Sequence, residues 1–161
     1  MAHAERSLLS IGISEDLSKV LSPESNRVFR NALREAISLR NSHLGTEHIL
    51  LGLVEDENVG KFLKGEERSI DSFRKSIRFT YGQGDTLVDI SALHLTPRAE
   101  NVINFALEEF KGEGAQALTP MHLLIGLLRE REGKAIGILL NFGIMPEQLL
   151  EKLREVREEQ A

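Results

Sequence analysis

The chain contains no cysteine and no tryptophan in 161 residues, and only one tyrosine and four prolines. Without cysteine, neither a disulfide framework nor a cysteine-based zinc site can form. Aromatic residues make up 5% of the sequence against 41% hydrophobic residues overall, so the core must be built from Leu, Ile, Val and Ala. That aliphatic bias suits helix packed on helix better than a β-sandwich. An excess of positive charge is also missing. The net charge is −5 with acids and bases interspersed, which argues against a nucleic-acid module, because phosphate binding needs concentrated positive charge. No apolar run approaches the roughly 20 residues that a membrane-spanning helix requires. Met1 to Val20 has no basic start followed by an apolar stretch, and Glu5, Glu15 and Asp16 interrupt it, which argues against a secretory signal. What remains is a soluble, cytoplasmic, all-α protein.

What the chain does have is an internal repeat with an offset of 74 residues. Ser22-Pro23 is echoed by Thr96-Pro97, Ala32-Leu33 by Ala106-Leu107, and Glu35 by Glu109. His48 to Leu53 is echoed by His122 to Leu127, and ten of the thirty-three positions from Ser22 to Val54 are identical at that shift. Two copies of one unit predict a pseudo-symmetric domain whose sites occur twice or at the seam.

Each copy reads as four helices. In the first, a hydroxyl followed by proline opens a helix whose apolar residues, Val28 to Leu39, recur at three- and four-residue steps. Gly45-Thr46 begins a second helix, Val59 to Lys64 a short third, and Ser69 caps a fourth from Ile70 to Thr80. In the second copy, helices start at Thr96-Pro97, Thr119-Pro120, Lys134 and Pro146, with Gly143 stopping the third. The expected organisation is a partly flexible leader over 1–20 with a short helix capped by Ser14, a first repeat over 21–81, a linker over 82–95 and a second repeat over 96–159. The two apolar faces should meet in one shared core.

Few residues suggest chemistry. His48 and His122 occupy equivalent places, but neither has a second ligand at i+4, so each reads as a ring that packs and hydrogen-bonds near a helix start rather than as a metal ligand. Gly52 and Gly126 lie inside helices, where glycine costs about 1 kcal/mol relative to alanine, and their duplication predicts close helix–helix approach. Arg27, Arg30, Arg34 and Arg40 form a basic stripe, with Glu108, Glu109 and Glu113 as an acidic counterpart. Both read as solvated faces, or as a docking surface with halves of opposite charge. No nucleophile–base pair or paired carboxylates recur at catalytic spacing, so no enzyme, cofactor or metal is expected.

The run from Gly45 to Leu53, GTEHILLGL, and its echo from Thr119 to Leu128, TPMHLLIGLL, resemble the Clp N-terminal (Clp R) repeat domain of the Clp AAA+ unfoldases, most closely the ClpC type. The resemblance covers about Leu21 to Arg157. It implies a compact all-α domain of two four-helix repeats related by a pseudo-twofold axis. By that resemblance the domain hydrolyses nothing and binds adaptor proteins, tagged or unfolded clients, or a Clp unfoldase assembly. No Walker A motif is present: Gly133-Lys134-Ala135 lacks both the hydroxyl and the upstream glycine. Both a free-standing protein and the front of a longer unfoldase fit that absence, with the Met1 start and the leader favouring the first. In ClpC-type domains the acid of the GTEH motif, with the hydroxyl that opens each repeat, is implicated in holding phosphorylated arginine. Carried over, this marks Glu47 with Ser22 in the first repeat and Met121 with Thr96 in the second, where methionine cannot pair with a cation. A small-molecule sensor and a regulatory competitor of an unfoldase N-domain are the alternative readings.

Overall fold

The computed structural model describes residues 8–66 and 68–160. Ser14 accepts a hydrogen bond from the Leu17 N–H at 3.1 Å and starts α1 (Glu15–Val20). Leu8, Ile11 and Ile13, ahead of it, are all buried. The Ile11 carbonyl accepts from the Leu95 N–H at 2.9 Å. From Leu8 onward, the expected leader is therefore part of the core. The flexibility expected of its first seven residues lies outside the described residues.

Ser22 caps α2 (Pro23–Ser38), accepting from the Ser25 N–H at 3.0 Å. After it come a two-residue strand, β1 (His43–Leu44), α3 (Thr46–Val54), a 3-10 turn at Gly60–Phe62, and α4 (Ile70–Tyr81). The third helix expected in this repeat shrinks to that single turn, because Gly60 packs so closely on the Val54 carbonyl that the chain folds back at once. A second 3-10 turn (Ile90–Ala92) leads to β2 (His94–Leu95). The second repeat follows as α5 (Pro97–Glu113), α6 (Pro120–Glu130), α7 (Lys134–Asn141) and α8 (Pro146–Gln160). Gly143, at φ 73°, lets the chain turn back after α7.

The two repeats are joined by reciprocal pairings. β1 and β2 run parallel, with Leu44 opposite Leu95, and Leu21 bridges Leu118 in the same sense. Leu21 and Leu95 are equivalent under the 74-residue offset, as are Leu44 and Leu118. Each repeat thus offers its opening residue to the segment preceding the other repeat's second helix, as a pseudo-twofold axis requires. Two-residue strands carry no alternating pattern, which is why they escape a reading of the sequence.

Gly52 on α3 and Gly126 on α6 lie against the Val28 and Val102 carbonyls, so a Cβ at either would collide with the backbone of α2 or α5. The close approach expected of this duplicated pair is present in both copies. The buried apolar residues of both repeats form one cluster, to which the aromatics contribute chiefly Phe29 and Phe73. The fold is all-α, a double repeat around one shared core.

Candidate functional site

The helix starts at α3 and α6 are built by the two echoed histidines. His48 occupies the third position of α3, and its Nδ1 accepts from the Gly45 N–H at 2.9 Å. His122 does the same for the Thr119 N–H at 2.9 Å. Accepting at Nδ1 places the proton of the neutral ring on Nε2, which donates to Asn41 Oδ1 at 2.8 Å in one copy and to Glu113 Oε2 at 3.3 Å in the other. The histidine thus takes the place usually held by Glu or Gln in a capping box.

Burial lowers the pKa of both rings below 6.5; Glu47 opposes this at His48 while Lys134 adds to it, and Glu109 opposes it at His122. Protonation would place a hydrogen on Nδ1, where the cap needs a lone pair. A depressed folded-state pKa means that the unfolded chain binds protons first. Stability is therefore complete well above pH 6.5 and falls as pH drops through 6.5 toward the lowered folded values, by at most about 1.4 kcal/mol per pH unit for each histidine. Urea titrations across pH 7 to 5 should show this slope, reduced in His48→Gln, whose amide oxygen can still accept the cap bond without titrating. An unchanged slope in that variant would remove His48 from the effect.

Beside the first of these caps lies a cleft of about 490 Å³ whose walls include Gly45, Glu47, Thr96, Arg98, Glu132 and Lys134. Three helix starts meet there. Thr96 caps α5, its Oγ1 accepting from the Ala99 N–H at 3.1 Å and its own N–H donating to the Leu44 carbonyl at 3.0 Å. Thr46 Oγ1 accepts from the Ala135 N–H at 3.1 Å, which fixes the start of α7 against that of α3.

Glu47 is 6% exposed. Its carboxylate folds back over Gly45, where any Cβ would collide with it. It accepts no hydrogen bond among the described residues, and the nearest cation is Lys134 Nζ at 3.6 Å. That ammonium also sits 5.2 Å above the Tyr81 ring, while the Tyr81 hydroxyl donates to the Lys134 carbonyl at 3.2 Å. Arg98 on the rim is held by Glu130 at 3.1 Å and Glu132 at 3.0 Å.

The residues singled out in the sequence are thus grouped differently from the expectation. Glu47 shares its cleft with Thr96, from the other repeat, and not with Ser22. The reason is the reciprocal pairing, which carries each repeat's opening hydroxyl across the seam. Ser22 is 5% exposed, its N–H donates to the Leu118 carbonyl at 2.9 Å, and its hydroxyl is engaged with Ser25. Met121 lines the counterpart cleft, of about 370 Å³, with Lys61, Phe62 and Arg157. Lys134 and Arg98 were not anticipated as part of the site. The sequence held a cue for Lys134, a glycine followed by a lysine at a helix start.

The acidic stripe at Glu108, Glu109 and Glu113 is not a free face. Arg129 pairs with Glu108 at 2.8 Å and Glu109 at 3.3 Å, Arg154 reaches Glu109 at 2.9 Å, and Arg157 bonds both Glu109 and Glu113. Burial opposes ionisation of Glu109, but the hydrogen bonds and charges of these arginines outweigh it and lower its pKa. The echoed Glu35 is held likewise by Arg74, at 2.6 Å. These acids fasten α4 and α8 to the first helix of each repeat. The two clefts beside the caps open at the surface and carry charged residues in their walls.

A family profile described as the Clp repeat (R) N-terminal domain matches residues 10–66 and 94–161. The chain is 35% identical over 122 residues to the negative regulator of genetic competence ClpC/MecB of Bacillus subtilis, an alignment covering 74% of the chain and 15% of that protein. It is 33% identical over 126 residues to the ATP-dependent Clp protease ATP-binding subunit ClpC of Staphylococcus saprophyticus, covering 77% of the chain and again 15% of the relative. The chain therefore spans about 15% of the length of these relatives. Among solved structures it is similar to the N-terminal domain of the caseinolytic protease-associated chaperone ClpD of Arabidopsis thaliana (TM-score 0.69, 18% identity, 87% of this chain and 96% of that one). It is also similar to the Hsp104 N-terminal domain of Candida albicans (TM-score 0.66, 15% identity, 85% and 91%).

Proposed function

The chain belongs to the Clp repeat (R) N-terminal domain family, and on that premise we propose that it is a non-enzymatic docking domain for clients or adaptors of a cytoplasmic Clp unfoldase system. The Glu47–Thr96 cleft is the part that holds a phosphorylated arginine side chain. One observation carries this reading: Glu47 is nearly buried, accepts no hydrogen bond among the described residues, and meets its nearest cation only at 3.6 Å. A carboxylate in that condition gains from a planar guanidinium, which offers paired donors in a fixed fork. The phosphoryl group has suitable neighbours in the Thr96 hydroxyl, the Lys134 ammonium and the converging helix starts. Met121 supplies no carboxylate to the counterpart cleft, and the Glu113 carboxylate on its wall is already paired with Arg157 and His122, so the stoichiometry on this reading is one.

Calorimetric titration with a peptide carrying a single phosphoarginine, beside the same peptide with arginine, tests the reading. Binding of the phosphorylated peptide alone, at one site per chain, is the expected result. Equal affinity for both peptides, or none for either, would refute it.

A further inference from the structure

Seven large hydrophobic side chains are exposed among the described residues, and four of them, Phe79, Tyr81, Leu87 and Ile90, fall within twelve consecutive positions. Those positions, the end of α4 and the connector to β2, lie between the two matched portions, residues 10–66 and 94–161. Phe79 is 94% exposed and Leu87 85%. Scattered single apolar residues on a surface are ordinary. A phenylalanine left almost wholly in water, with three more exposed apolar groups close by in the chain, is a different matter, because such a ring gains substantially from burial.

The charged side chains beside Phe79 in the surface depression are both cations. Lys75 and Arg78 flank it at helical spacing, and the three share a surface depression of about 480 Å³ with Gly82 and Gln83. Both cations are exposed and make no ion pair among the described residues. Arg74, on the same helix, is by contrast bound by Glu35, Glu55 and Asp71. Gly82, at φ 78°, ends α4, and the space where its side chain would stand is open, so the ring can be approached from the helix end.

We propose that this face is a second docking surface, centred on Phe79, for a protein segment that carries large apolar side chains flanked by carboxylates. The aromatic ring supplies the anchor, as aromatic side chains do at interface hot spots. Lys75 and Arg78 select an acidic partner and speed its approach. Two cations on a chain of net charge −5 are too few for a polyphosphate backbone. The surface shares no lining residue with the Glu47 cleft, so each can be tested without the other.

The test is selection of a random dodecapeptide display library on the whole chain, followed by anisotropy titration of the best synthetic peptide. Enriched peptides should combine Asp or Glu with Leu, Ile, Phe or Trp. Phe79→Ser should weaken binding at least tenfold, and so should the Lys75→Glu/Arg78→Glu double variant, while Glu47→Gln leaves it unchanged. Because these side chains are exposed, an unaltered circular dichroism spectrum and melting point should accompany each loss. Peptides without acids, binding that survives Phe79→Ser, or a Phe79-dependent dimer in sedimentation would each overturn the proposal.

Discussion

Glu47→Gln should lower affinity for a phosphoarginine peptide by about thirtyfold or more, while Met121→Ala leaves it unchanged. The magnitude follows from how the carboxylate is held. At 6% exposure its charge is already desolvated in the free protein, so a bound guanidinium recovers interaction without much further dehydration of the acid. A hydrogen bond to a charged group is worth about 1.5–3 kcal/mol, and the paired geometry of a guanidinium on a carboxylate places this case toward the upper end. Thr96→Val should cost less, about 1 kcal/mol or roughly fivefold, since a single neutral hydroxyl is lost. It should also cost something in stability, because Thr96 caps α5. The glutamine variant carries no such penalty, as Glu47 makes no hydrogen bond within the described fold. Titration of wild type and the three variants with one peptide checks the order. Unaltered affinity in Glu47→Gln would remove the carboxylate from the site.

The fold could be read largely from the sequence because its cues are local and duplicated. Ser22-Pro23 and Thr96-Pro97 mark helix starts by capping chemistry alone, and the helical spacing from Val28 to Leu39 needs no knowledge of distant residues. The missed features depend on partners far away in the chain. β1 and β2 are two residues each and exist only because Leu44 meets Leu95. The burial of Leu8, Ile11 and Ile13 has the same origin, in contacts such as the one from Ile11 to Leu95. The candidate site shows this limit most clearly. Glu47 was identifiable through the resemblance of its GTEH run to the ClpC type, but its pairing was assigned within one repeat, whereas the symmetry crosses the repeats and brings Thr96 to it. Lys134 reaches the cleft through the Thr46–Ala135 contact, which no spacing in the sequence reveals. The acidic stripe misled for a related reason. Composition shows charges, but not the arginines of α8, some 45 residues on, that neutralise Glu109.

Gly52→Val should destabilise the protein by about 3 kcal/mol, although most substitutions of a helical glycine stabilise the helix itself. Two effects compete. Replacing glycine inside a helix gains up to about 1 kcal/mol of intrinsic propensity for alanine, and less for valine. Against this, a Cβ at position 52 would fall on the Val28 carbonyl, with the Val28 Cγ1 at 3.0 Å. A carbonyl fixed in the hydrogen-bond ladder of α2 cannot rotate away, so α2 and α3 must separate and loosen the packing behind them. Overpacking of this kind costs about 1–3 kcal/mol, occasionally more, and the extra methyl groups of valine push it to the high end. For Gly52→Ala the two effects nearly cancel, with the balance on the destabilising side. Gly126→Ala, against the Val102 carbonyl and the Ala106 nitrogen at 3.0 Å, should behave alike. Gly112→Ala is the control: it lies in α5 with nothing near its missing Cβ, so propensity acts alone and should stabilise by up to about 1 kcal/mol. Urea unfolding followed by circular dichroism gives all four values. If Gly52→Ala stabilised as much as Gly112→Ala, the tight approach of α2 to α3 would be wrong, and with it the reason for a glycine at this place in both repeats.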